Sequence, residues 1–181
     1  MGTDINSLIT AAISSTFKNT AVPAAPAGAT ALESIVSDPY NEQQSKTFTF
    51  GTGTDKAKGH FHGKFTVNAG AQTVFDMAGA LTDVFGTAIA ATEVKAILIV
   101  NLNAVVGDKL EVFGDAAGGG NSMPIVKAAG DALVIGPGGF LLLSNPIDGY
   151  AVGAGATDDI EISNPGGNNI DFEIWILYEH A

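Results

Sequence analysis

Cysteine is missing from the chain, which removes disulfides, thiolate nucleophiles and cysteine-ligated zinc or iron–sulfur centres from consideration. Arginine is missing too: all 8 basic residues are lysine, against 19 acids, giving a formal net charge of −11. Phosphate binding needs a basic face and bidentate base reading favours arginine, so nucleic acid is not an expected partner. Charge of either sign is scarce, at 15% of residues against the ~25% usual in soluble domains. Long hydrophobic runs are scarce as well. The best, Ala96–Val100 and Phe140–Leu143, fall far below the ~18 to 20 residues of a bilayer helix, so no membrane span is expected. Asp4 stands where a secretory signal carries positive charge, and Asn6, Ser7 and Thr10 interrupt the apolar stretch that follows, so no export signal is expected either.

What is present is hydrophobic and glycine-rich. Hydrophobic residues make up 46% of the 181, enough for one buried core, and 23 residues are glycine, well above the ~7% average. Near the N-terminus Ile5, Leu8, Ile9, Ala12, Ile13 and Phe17 recur at three- and four-residue spacing, which predicts an amphipathic helix with Thr3 or Asp4 as its cap. Such a helix is marginal alone in water and must lie against something. Residues 21–30, with Pro23 and Pro26 among alanines, predict an extended tether. Ala31–Val36 has room for a further helical turn before Asp38-Pro39 stops it.

From Ser45 onward the period changes from 3.6 to 2. Lys46–Phe50 and Gly59–Val67 alternate, with Phe61, Phe65 and Val67 on one side and His60, His62, Lys64 and Thr66 on the other. Further strands are expected at Gln72–Asp76, Val94–Asn101, Lys109–Phe113, Pro124–Lys127, Ala132–Ile135, Phe140–Ser144, Tyr150–Val152, Ile160–Ser163 and Ile170–Tyr178. Glycine, proline and asparagine turns separate them, among them Gly136–Gly139 and Asn164–Asn168. Short strands without long helices between them argue for an all-β, antiparallel, jelly-roll-like sandwich spanning residues 45–181. The helical, Pro/Ala-rich arm would occupy residues 1–44. In the last strand Trp175 and Leu177 fall on the outer face and need a cover, either the arm or another subunit.

Catalytic and metal-binding signals are weak. His60 and His62 share one strand face, a spacing that can chelate a metal. A cupin, however, wants a Glu about four residues later, where Gly63–Val67 offer Lys64 and no carboxylate. Asp158, Asp159 and Glu161, and Asp108 with Glu111, match no calcium-loop pattern and read as solvated loop acids. No nucleophile elbow or phosphate loop is present. The expectation is no enzyme, no metal and no cofactor. Trp175, Tyr40, Tyr150 and Tyr178 are of the types that stack on sugars, which keeps a carbohydrate-binding or fibre-type receptor-binding module as the alternative.

The segments Val94–Asn101, Gly107–Val112, Gly136–Leu143, Asp148–Val152 and Asp159–Asn164 follow one another in an order that resembles small structural proteins of tailed bacteriophage virions. The resemblance covers roughly half the chain and contains no catalytic signature. It implies a jelly-roll decoration or cement protein on the outer surface of the head, a homotrimer whose partner is the major capsid protein. On that reading Ile5, Leu8, Ile9, Ile13 and Phe17 of the arm are the expected partner-binding residues.

Overall fold

A strand forms where alternate side chains can be buried, and ladders form where backbone groups left unpaired would otherwise be costly. The computed structural model describes residues 6–15, 40–79, 81–83, 86–113, 123–125, 131–153, 155 and 157–181, and among these it is all-β. The chain divides into two compact units, one spanning Ser7–Thr47 and the other built mainly of Phe48–Ala181.

The first unit holds β1 (Asn6–Ser15), hydrogen-bonded to β2 (Tyr40–Phe50). The helix expected from the spacing of Ile5 to Phe17 is therefore not formed over Asn6–Ser15, which is a strand. Ile9 and Thr10 are β-branched, and Asn6, Ser7, Ser14 and Ser15 are weak helix formers. The burial follows period 2: Ser7 and Ile9 are half-buried while Leu8 and Thr10 are exposed. Pairing with β2 satisfies a backbone that an isolated short helix would barely stabilise. The expected turn at Ala31–Val36 and the tether at 21–30 lie outside the described residues.

The second unit begins at the end of β2, which pairs with β3 (Lys56–Ala57) in parallel. It continues through β4 (Gly59–Val67), β5 (Gln72–Asp76), β6 (Ala91–Asn101), β7 (Leu110–Phe113), β8 (Ala132–Ile135), β9 (Phe140–Ser144), β10 (Tyr150–Ala151), β11 (Asp159–Ser163) and β12 (Ile170–His180). Two antiparallel sheets result. One runs β4-β12-β6 with β9 and β10 end to end along the far side of β6, and the other runs β5-β11-β7-β8. With β9 and β10 counted as one interrupted strand, the partners nest: β4 with β12, β5 with β11, β6 with β9 and β10, β7 with β8. It is as though one long hairpin, its turn between β7 and β8, were folded over on itself. Pro124 and Ile125 form a turn rather than the expected strand, since Pro124 cannot donate to a ladder.

The inner faces of both sheets share one core, a sandwich-like arrangement. Phe61, Val67, Ile97, Ile99, Phe172, Ile174 and Ile176 from one sheet meet Phe75, Leu110, Val112, Ile135, Ile160 and Ile162 from the other. Gly59 is required there, because a Cβ at that position would run into the Tyr178 ring.

One end of the sandwich is fastened by amide side chains. Buried Asn164 donates to the carbonyls of Val67, Asn68 and Asn168, and Asn101 donates to those of Asp108 and Ile135. The Asp108 carboxylate accepts from Asn103 at 2.9 Å and Asn168 at 3.0 Å. These two hydrogen bonds hold its pKa below the ordinary 3.8. Bonds that favour the ionised form stabilise the fold above the unfolded pKa and lose that contribution as pH falls through the folded one. Asp108→Asn is therefore expected to melt below wild type at pH 7, and the gap between their melting temperatures should close below about pH 4. A gap that stays constant from pH 7 to pH 2 would refute this role for the Asp108 charge.

Candidate interaction surface

Alternation along the strands decides what the β4-β12-β6-β9 sheet shows on the side away from the core. Ile174, Ile176, Ile97 and Ile99 point inward, so Trp175, Leu98 and Leu142, in register across β12, β6 and β9, point outward with His62 of β4. The next row is Phe140, Val100, Glu173 and Lys64. Phe140 is 69% exposed, while Leu98, Val100, Leu142, Trp175 and Leu177 are half-buried and belong to no core cluster. A contiguous apolar band rimmed by polar groups is one of the features that mark an interaction site.

His62 and Trp175 stack at a centroid distance of 4.3 Å with 10° between their planes. The imidazole thus occupies one face of the indole at van der Waals distance. His60 and His62 are both exposed on the outer face. Among the described residues no group of three or more His, Cys, Asp or Glu side chains converges as a metal site.

The outer edge of β4 carries the chain's densest run of basic side chains. Ala57 and Phe61 are buried and Gly59 faces Tyr178, so Lys58, His60, His62 and Lys64 alternate onto the opposite side. Lys56, just before them, donates to Thr49 Oγ1 at 2.8 Å. The pairing of His60, His62 and Lys64 on one face is visible in the sequence; the extension to Lys58 emerges once β3 and β4 are seen as one nearly continuous run.

The other sheet shows the opposite charge on its outer face. Phe75, Ile160 and Ile162 point inward, so Val74 and Asp76 of β5 and Asp159 of β11 fall on the outer side, Asp76 directly opposite Asp159; Glu161, on the same side by alternation, is buried. Glu111 of β7 lies on the same face, opposite Ser163 and within 3.4 Å of the Lys109 ammonium. Burial first, and then the negative charges of Asp158 and Asp76, push the Asp159 carboxyl above its ordinary 3.8. Val134 of β8 adds an exposed apolar side chain beside them.

Of the residues expected to bind a partner, Leu8 is 66% exposed and Ile9 is half-buried, both on β1. Ile13 lies on the same strand, its side chain outside what is described, and Ile5 and Phe17 lie outside the described residues. The interaction band on β9, β6 and β12 is foreshadowed in the sequence only by Trp175 and Leu177, because Leu98 and Leu142 sit in apolar runs whose in-and-out assignment requires the register. Compared with protein-family profiles, curated proteins and solved structures, the chain gives no match.

Proposed function

We propose that this chain is a jelly-roll structural protein of a virion, of the decoration type, acting without catalysis by binding the major capsid protein on the outer surface of the head. The observation that carries the reading is the nested strand pairing. With β4 counted as the first strand of the sandwich, the orders are first-eighth-third-sixth in one sheet and second-seventh-fourth-fifth in the other, the arrangement of a long hairpin rolled into two Greek keys. Jelly rolls recur as capsid, lectin and cupin domains. A cupin-type site is disfavoured because His60 and His62 are exposed on the outer face. A sugar platform at Trp175 is disfavoured because His62 already lies against the indole. An outer face with Phe140, Leu142, Leu98 and Trp175 in adjacent rows supports protein docking instead.

In this reading a homotrimer presents several copies of modest contacts to the capsid lattice, and stabilisation is mass action on the assembled state. The test is rebinding. Particles stripped of the protein are offered purified wild-type chain or a Leu98→Asp/Trp175→Glu variant, and bound copies are counted after gradient centrifugation. Saturable binding by wild type that the variant loses by more than ~10-fold is the expected result, because a buried unpaired charge at an interface centre is costly. Failure of wild type to co-sediment with particles at any concentration overturns the proposal.

A further inference from the structure

We infer that two copies of this chain pair through β1, strand against strand and antiparallel, about a two-fold axis at Ala11. The first unit has room for a further strand. Among the described residues β1 has β2 as its only ladder partner, and a two-stranded ribbon is at best marginally stable in water, whereas three or more strands hold better. The far edge of β1 presents a row of backbone donors and acceptors, which is a template for another strand.

That edge carries none of the devices that keep sheet edges apart. Asn6–Ser15 contains no charge, no proline and no glycine, and it is the longest of the described strands without a charged residue. In the second unit β4 carries Lys64, β5 ends on Asp76, β8 has four residues, and β9 and β10 are short pieces separated by a turn. Charge, brevity and interruption blunt those edges, and nothing comparable protects β1. Leu8, Thr10, Ala11 and Ala12 are exposed, so the middle of the strand is open to approach.

The residue order says what fits there. Every second residue from Ser7 reads Ser7, Ile9, Ala11, Ile13, Ser15, the same series in either direction. An antiparallel pair about a two-fold axis at Ala11 sets Ser7 opposite Ser15 of the second copy, Ile9 opposite Ile13, and Ala11 opposite Ala11. Alternate positions share a face and so decide register, and β-branched residues pack well on their neighbours across a pleated sheet. At the remaining positions Leu8 meets Ser14 and Thr10 meets Ala12, with no like charges opposed. A formal net charge of −11 makes copies repel one another, and an uncharged strand is where they can come together. The product is a four-stranded ribbon, β2-β1-β1-β2, with roughly 30 Å of shared ladder.

A two-fold contact closes with two copies and builds no filament. It uses the edge of β1 alone, so Ile9 and Ile13 have a second copy as their partner, and the outer face of the β4-β12-β6-β9 sheet stays with the capsid protein. A trimer held through other surfaces would be joined to its neighbours by this contact.

The inference stands apart from the virion reading, because its test uses the isolated full chain and no particles. The chain has no cysteine, so single cysteines report on pairing one position at a time. Opposed residues in an antiparallel ladder have Cα atoms about 4.5 or 5.5 Å apart, within the ~4.4–6.8 Å of a disulfide. Ala11→Cys is therefore expected to give a disulfide-linked dimer under mild oxidation, seen on a non-reducing gel. Ser7→Cys places its sulfur about 27 Å along the ladder from its counterpart, at ~3.4 Å per residue. It should stay unlinked alone and link when mixed with Ser15→Cys. Sedimentation equilibrium gives a second measure: wild type should show a mass that rises with concentration, and Ala11→Lys, which opposes two ammonium groups, should weaken that association at least ~5-fold. Circular dichroism confirms that each variant is folded, and should Ala11→Lys unfold, the cysteine variants decide alone. An Ala11→Cys chain that forms no dimer overturns the inference. So does Ser7→Cys linking as fast as Ala11→Cys, as parallel pairing or random encounter requires, a Ser7→Cys and Ser15→Cys mixture that fails to link, or an Ala11→Lys chain that associates like wild type.

Discussion

Phe75→Ala is expected to lower the melting temperature of the β4–β12 sandwich by roughly 10 °C. Phe75 stands on β5 with its ring 4.9 Å from that of Phe65, 6.1 Å from Phe61 and 6.1 Å from Phe172. Those three belong to β4 and β12 of the opposite sheet, so this one ring ties the two sheets together. It is essentially inaccessible to water. Removing it forfeits the transfer free energy of the ring and leaves a cavity between two sheets that cannot close without bending both. Phe→Ala in such a site costs about 3–5 kcal/mol, and in a domain of this size each kcal/mol is worth about 2–4 °C. Phe75→Leu keeps most of the volume and should cost under about 2 kcal/mol. Thermal melts followed by far-UV circular dichroism decide it: a Phe75→Ala melt within ~2 °C of wild type would show that the rings do not hold the sheets.

That cluster also shows where the sequence was legible. Phe61, Phe65 and Val67 alternate with polar residues, and β4 runs from Gly59 to Val67 as expected. Phe140–Ser144 and Ala132–Ile135, bracketed by glycine turns, also have the expected bounds. In these segments local propensity, side-chain period and turn chemistry agree. At Asn6–Ser15 they disagree. Apolar residues there satisfy a three-four spacing, but β-branched and hydroxyl side chains favour extended backbone, and hydrogen bonding to β2, a partner remote in sequence, decides for the strand.

The start of β6 was illegible for another reason. Ala96 pairs with Leu177 and Val94 with Tyr178, so Lys95 is an extra residue, a bulge. A second irregularity follows between Glu179 and His180. Each shifts the in-and-out phase, so the alternation that betrays β4 is scrambled across Ala91–Ala96, and the strand begins earlier than its apolar run. The candidate surface was legible in the same proportion. The outward side of β4 can be read directly from His60, His62 and Lys64, whereas the assignment of Leu98 and Leu142 depends on where β6 changes phase. The acidic face of the other sheet needed the pairing of Asp159 with Asp76, two residues far apart in the chain.

Lys95 at that bulge leads to the second large effect. Its side chain is 0% exposed, and its ammonium lies 2.5 Å from Glu93 and 3.5 Å from Glu179; it also donates to the Ile147 carbonyl. Glu93 and Glu179 stand opposite each other across the ladder, so the lysine is the cation between two facing carboxylates. The shorter contact is not the more valuable one. The Glu93 side chain is 36% exposed and water screens it, whereas that of Glu179 is 11% exposed and also accepts from the Gly53 backbone N–H. Lys95→Met therefore leaves Glu179 as a nearly buried charge facing another carboxylate. Breaking such a pair costs about 3 kcal/mol or more, a fall of roughly 6–12 °C in melting temperature. Glu93→Gln alone should cost less than Lys95→Met, because the Glu93 carboxylate is partly solvated and Lys95 keeps Glu179 as its counter-charge. The informative comparison is Lys95→Met with Glu93→Gln and Glu179→Gln added, which removes all three charges while keeping side chains of similar size. If the penalty of the single variant is an uncompensated charge, the triple variant regains most of the lost stability. If instead it melts as low as Lys95→Met, the lysine stabilises the bulge through the packing of its stem, and the two glutamates are bystanders.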